Sequence, residues 1–136
     1  MPSGVAIDAC ILIEFLRAKD KSKTMYAKLA RSAVPLFIST IVLFEVRAGL
    51  NTFNQECLMG LLRKITCLPF DVRTAEIAAG LSKTLRNNRI QVESSDLFIA
   101  ATAIAHGFPL ATLNRKHFER IEGLILFDDE RNLVDA

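Results

Sequence analysis

The sequence predicts an α/β fold, a three-layer α/β/α sandwich in which a short parallel β-sheet is covered on both faces. Three observations carry this. The apolar runs at 5–7, 36–38, 109–112 and 124–127 are short and continuous rather than alternating, the pattern of strands buried on both faces. Segments with apolar residues at helical spacing separate these runs, as a parallel sheet with crossover helices requires. The chain has 136 residues, 51% hydrophobic and 24% charged, with only six Gly and four Pro. That composition excludes disorder and linker-like or collagen-like sequence, and predicts one domain across 1–136. A chain of this size buries enough surface to need neither a metal staple nor a disulfide.

Residues 5–7 follow Gly4 and end at Asp8, which reads as a buried strand. From Ala9 to Arg17, Ile11, Leu12, Phe15 and Leu16 recur at helical spacing. Residues 19–31 form a charged amphipathic segment with Met25, Leu29 and Ala30 as its apolar side, and Pro35 ends it. After the strand at 36–38, Ser39 and Thr40 are placed to cap a helix from Ile41 to about Phe53. Leu58, Leu61 and Leu62 mark another helical stretch, and 66–69 a short strand. Residues 74–86 carry Ile77, Ala78, Leu81 and Leu85 on one helix face. Ser94, Ser95 and Asp96 open a very apolar helix over 97–106, which stops at Gly107, the left-handed position beyond a helix end. The runs at 109–112 and 124–127 complete the sheet. No repeat, low-complexity tract or linker interrupts the chain.

The 17 basic and 15 acidic side chains leave a net charge of +2. This excludes a protein that coats nucleic acid by charge alone, so any nucleic-acid function has to come from a local site. Cys10, Cys57 and Cys67 include no C-x-x-C pair, and two His are too few for a structural zinc site. Each Cys sits in an apolar stretch and is expected to be a buried, reduced thiol of a cytoplasmic protein. The N-terminal apolar run is short and meets Asp8, which reads as neither a signal peptide nor a membrane span.

In open parallel sheets, ligands bind beyond the carboxyl ends of the strands. Asp8 stands there directly, either capping the next helix or holding a cation. Glu45 lies in a segment, 41–46, that is apolar on nearly every side. A carboxylate buried there needs a cation or metal, and Arg47 points to a different side of the helix. If Glu45 instead emerges at the edge of the sheet, water suffices. Asp96 occupies the first turn of a buried helix, where the macrodipole favours a negative charge. Three acids at the mouths of apolar elements suit Mg²⁺, which takes hard oxygen ligands and keeps several waters. Beyond the strand ending at Thr112, Asn114 offers a carbonyl oxygen and an amide, and His117 can exchange a proton near neutral pH. The same two residues also fit a turn with a surface His. Asp128 and Asp129 close the last run on the same side and read as a solvated pair.

Taken together, residues 5–13, 39–49, 96–103, 107–114, Phe118 and 122–124 resemble the PIN-domain ribonucleases, in particular VapC-type toxins of toxin–antitoxin pairs. The likeness spans almost the whole chain in the family's order. It implies a metal-dependent endoribonuclease with catalytic Asp8, Glu45, Asp96 and Asn114, in which Asp8 and Asp96 bind Mg²⁺ or Mn²⁺. Glu45 would act as a ligand through water or orient the nucleophile, while Thr112 and Asn114 support the metal shell or the phosphate. His117 falls where the family often has a fourth acid. An acidic site needs cations at its rim to hold RNA. Arg115 and Lys116 are the nearest in sequence, and 17–31 adds six basic residues against one acid. The resemblance further implies a cognate VapB-like antitoxin and a homodimer, with 41–50 and 58–62 as contact surface. Other readings fit less well. A haloacid-type phosphatase needs Asp where Cys10 stands, a receiver domain lacks its early acid pair and late Lys, and no phosphate-binding Gly-rich loop occurs. The non-enzymatic alternative is a catalytically weak PIN-like module that binds RNA or protein.

Overall fold

The computed structural model describes residues 2–49 and 54–128. Its centre is a four-stranded, all-parallel sheet with order β3-β2-β1-β4. Strand β1 (Val5–Ile7) is buried at every position, as its uninterrupted apolar run predicts. It pairs on one side with β2 (Leu36–Ser39), Val5 opposite Leu36, and on the other with β4 (Leu110–Ala111), Ala6 opposite Leu110. Strand β3 (Thr66–Leu68) extends the sheet beyond β2. The chain builds outward from β1 to β3 and then returns to the other flank of β1. That reversal leaves a crevice between the carboxyl ends of β1 and β4.

Helices make every crossover and flank the sheet. Helix α1 (Ala9–Arg17) buries Ile11, Leu12 and Leu16, and α2 (Met25–Arg31) follows it. The segment at 19–31 is not one amphipathic helix. A 3₁₀ turn (Lys21–Lys23) precedes α2, and Thr24 restarts the helix by accepting from the Ala27 N–H at 3.3 Å. The restart resets the phase, so Tyr26 and Leu29 are buried and Ala30 is exposed. Helix α3 (Thr40–Gly49) begins as expected, with Ser39 Oγ accepting from the Val42 N–H at 3.1 Å. The expected continuation to Phe53 lies outside the described residues. Helix α4 (Gln55–Leu62) buries Leu58 and Leu61.

Helix α5 (Val72–Asn87) starts two residues earlier than its apolar face suggests, because Asp71 caps it through the Thr74 N–H at 3.0 Å. Helix α6 (Ser94–His106) is buried along most of its length and ends at Gly107, whose φ of 73° is the left-handed conformation expected there. The run at 124–127 does not become a full strand. It forms one parallel bridge, Leu126 to Leu110, since β4 is only two residues long and offers no further ladder.

The cysteines are less buried than expected. Cys10 and Cys57 are half-buried, and Cys67 is exposed because β3 is an edge strand. No helix among the described residues is long and apolar enough to cross a membrane.

Candidate active site at the carboxyl edge of the sheet

Asp8 leaves the end of β1 with only 6% of its surface exposed, and its environment satisfies both carboxylate oxygens. Oδ1 accepts from the Ala9 N–H at 2.8 Å, so the capping reading holds. Oδ2 accepts from Thr112 Oγ1, also at 2.8 Å, and from the Cys10 thiol at 3.4 Å. Thr112 Oγ1 in turn accepts from the Asn114 N–H at 3.0 Å. Cys10 Sγ accepts from the Leu113 N–H at 3.3 Å. The Asp8 side chain is therefore fixed by both the first turn of α1 and the loop after β4. Thr112 is thereby held against the Asp8 carboxylate. Cys10 had no expected role at the site, although its place two residues after Asp8 in the first helical turn was a usable signal.

Glu45 and Asp96 enter from α3 and α6. Burial, then the charges of Asp8 and Asp96, push the Glu45 carboxyl above its ordinary range. Burial and then Asp8 raise Asp96 likewise, with His117 partly opposing and Glu93 adding to the rise. Across sequence separations of 37 and 51 residues, Glu45 thus feels the charges of Asp8 and Asp96, and Asp96 feels that of Asp8. Glu45 is half-buried, intermediate between the two positions its sequence allowed, because α3 buries only the stripe through Val42 and Val46. His117 Nδ1 stands 3.3 Å from Asp96 Oδ2. The Asn114 side chain is exposed and makes no capping bond to the 3₁₀ turn (Arg115–His117) that follows it.

The donor set consists of hard oxygens, which suits Mg²⁺ or Mn²⁺, and the raised Glu45 and Asp96 carboxyls mark a concentration of negative charge that His117 offsets in part at Asp96. As the side chains stand, no three His, Cys, Asp or Glu among the described residues converge on a point that would hold a metal ion.

Residues 5–124 match the PIN domain family. The chain is 36% identical over 129 residues to Ribonuclease VapC1 of Rickettsia felis, covering 89% of this chain and 92% of that protein. It is 32% identical over 129 residues to Ribonuclease VapC of Rickettsia bellii, with the same two coverages. The chain belongs to the PIN-domain family, among the VapC ribonucleases. Among solved structures it is similar to VapBC2 from Rickettsia felis bound to a DNA fragment from their promoter, with a TM-score of 0.79 and 25% identity over 90% of this chain and 96% of that one.

The cations of this PIN domain are not all placed as expected. Arg115 donates to the Phe127 carbonyl at 3.0 Å, so its guanidinium holds the segment beside β4. Lys21 closes the end of α1 by donating to the Phe15, Leu16 and Ala18 carbonyls, and Arg31 donates to the Ser22 carbonyl. Helix α1 also carries the start of the 17–31 segment roughly 13 Å away from Asp8, at about 1.5 Å per residue. Within that basic stretch, Lys21 and Arg31 are thus engaged by backbone carbonyls, and Lys23 lies 3.9 Å from Asp20. Lys116, with Asp96 and His117, lines a groove of about 640 Å³ between the loop before α6 and the segment after the 3₁₀ turn. Asp8 and Glu45 do not line that groove.

Proposed function

We propose that this chain is an endoribonuclease, the toxin of a toxin–antitoxin pair, and that it hydrolyses RNA with Mg²⁺ or Mn²⁺ held by Asp8 and Asp96. The observation that carries the reading is the gathering of Asp8, Glu45 and Asp96 at the switch point of a parallel sheet, with the charges of Asp8 and Asp96 acting on Glu45 and that of Asp8 on Asp96. The names of the relatives, Ribonuclease VapC1 and Ribonuclease VapC, support the same activity. A bound divalent cation supplies charge neutralisation at the scissile phosphate and a more acidic water.

The chain's own groups do the rest. Glu45, its carboxyl raised, is suited to orient the attacking water and take its proton. Thr112 and Cys10 keep Asp8 from rotating. Asn114 offers its amide to the phosphate. RNA as substrate sets the cytoplasm as the working compartment. Solved VapBC complexes support a VapB-like antitoxin as partner, and the open apolar side of α3 supports a second copy of the chain.

The test is cleavage of an RNA oligonucleotide by the purified chain in MgCl₂. Asp8→Asn and Asp96→Asn are expected to lower the rate by about 100-fold or more, the scale of losing a positioned catalytic group. Their circular dichroism should match the parent. Undiminished cleavage by a folded Asp8→Asn, Asp96→Asn double variant overturns the assignment.

A further inference from the structure

The two oxygens of the Asp8 carboxylate are not equally engaged. Oδ1 accepts from the Ala9 N–H at 2.8 Å. Oδ2 accepts from both Thr112 Oγ1, at 2.8 Å, and Cys10 Sγ, at 3.4 Å. Both of these donors are directed by the loop after β4. The Asn114 N–H donates to Thr112 Oγ1 at 3.0 Å, and the Leu113 N–H donates to Cys10 Sγ at 3.3 Å. Two adjacent backbone amides thus orient a hydroxyl and a thiol, 3.6 Å apart, so that each gives its hydrogen to the same carboxylate oxygen.

An ionised carboxylate has about four lone-pair positions, two on each oxygen. Among the described residues, Oδ2 has a donor for each of its positions, whereas Oδ1 keeps one open. The side chain is not free to exchange the two, because Asp8 is only 6% exposed and its Oδ1 contact caps α1. A cation at this carboxylate therefore meets one available oxygen. That matters differently to different hard cations. Mg²⁺ is satisfied by a few carboxylate oxygens and completes its octahedron with water, while the larger Ca²⁺ takes more oxygens and gains from gripping both atoms of a carboxylate. Of the two groups on Oδ2, Thr112 is buried and makes the shorter bond, and Cys10 is half-buried. The thiol is the more exposed donor and the one that a cation seeking Oδ2 has to displace.

We propose that Cys10 is a positioning residue that reserves Asp8 Oδ2 for the protein, so that Asp8 serves a cation through Oδ1 alone and the centre favours Mg²⁺ over Ca²⁺. This rests on the reading that Asp8 holds the divalent cation, and it adds which oxygen is open and what keeps the other closed.

The experiment is isothermal titration calorimetry of MgCl₂ and of CaCl₂ into the metal-free, full-length chain without RNA. The parent, Cys10→Ala, Cys10→Ser and Asp8→Asn are compared. Ala is the best helix former, so Cys10→Ala keeps the first turn of α1 while losing the S–H donor. It should raise the affinity for Ca²⁺ relative to Mg²⁺ by about fivefold or more, the scale of one hydrogen bond. Cys10→Ser retains a donor and should hold that ratio within about twofold of the parent. A role confined to packing weakens both cations alike and leaves the ratio where it was. An unchanged ratio in Cys10→Ala therefore overturns the proposal. An equal shift in Cys10→Ser overturns it too, because the hydrogen bond is then not the cause. If Asp8→Asn binds both cations as tightly as the parent, the metal assignment to Asp8 fails first and takes the role of Cys10 with it.

Discussion

Glu45 and Asp96 bear raised carboxyl pKa values because burial, and the charge of Asp8 nearby, disfavour their ionised forms. A folded-state value above the unfolded one means that protons favour the fold. The associated stability is fully present below the ordinary carboxylate range and is lost as pH rises through the raised values. Glu45→Gln removes one of the charges, so the variant should gain stability at pH 8. Near pH 3, below the ordinary glutamate value, it should gain little, since Glu45 is then mostly protonated in both states. For a partly solvated group the gain is about 0.5–1 kcal/mol, or roughly 2–4 °C in Tm. Thermal melts at the two pH values check it, and a Glu45→Gln Tm at pH 8 below the parent's would sink the argument. The three acids were visible in the sequence because each interrupts an apolar element. Cys10's nearness to Asp8 was also readable from their spacing, but its contact with Thr112 was not, since it joins residues 102 apart. That contact exists only once β4 has docked beside β1.

Elements were readable where one physical rule acted alone. Strand β1 followed from three apolar residues, and the end of α6 from Gly107. Where a cap competes with periodicity, the reading shifts: Thr24 splits the 19–31 segment, and Asp71 starts α5 early. Packing between elements was not readable at all. Gly4, just before β1, lies against the stacked rings of Phe37 and Phe108, whose centroids are 4.3 Å apart. A Cβ on Gly4 would collide with the Phe37 ring and approach the Phe108 ring to 2.9 Å. Gly4→Ala should therefore destabilise the chain by roughly 1–3 kcal/mol, as overpacking does. Phe37→Leu makes room for the added methyl. The double variant should thus be less destabilised than the two single variants summed, because contacting sites do not add. Urea denaturation of all four chains measures this, and simple additivity would show that the collision is not the cause. Since β1 delivers Asp8, the close approach at Gly4 also bears on how firmly the site is held.

At the scale of the whole molecule, a net charge of +2 conceals a separation. Carboxylates gather at one edge of the sheet, while several cations are consumed in closing helices and only Lys116 and Arg120 remain free among the groove's described residues. The apolar half of the composition is likewise not all used inside. Helix α3 turns Val42 and Val46 inward but leaves Phe44 70% exposed beside Leu43, and Met59 of α4 is 45% exposed. Thr40, Leu43, Phe44, Arg47 and Ala48 line a hollow of about 460 Å³ there. An exposed Phe in an apolar hollow marks an association surface more often than a solvated one. Because Phe44 and Glu45 are consecutive, they point about 100° apart on the same helix, so a second copy seated on this face would brace the helix that carries Glu45. Phe44→Lys should convert a dimer at concentrations on the order of 10 µM into a monomer, because a buried, unpaired charge opposes association. It should leave secondary structure unchanged, since Phe44 is 70% exposed and lies outside the core formed by the described residues. Sedimentation velocity of both chains decides the matter: a monomeric parent, or a Phe44→Lys chain that still sediments as a dimer, removes α3 from the interface.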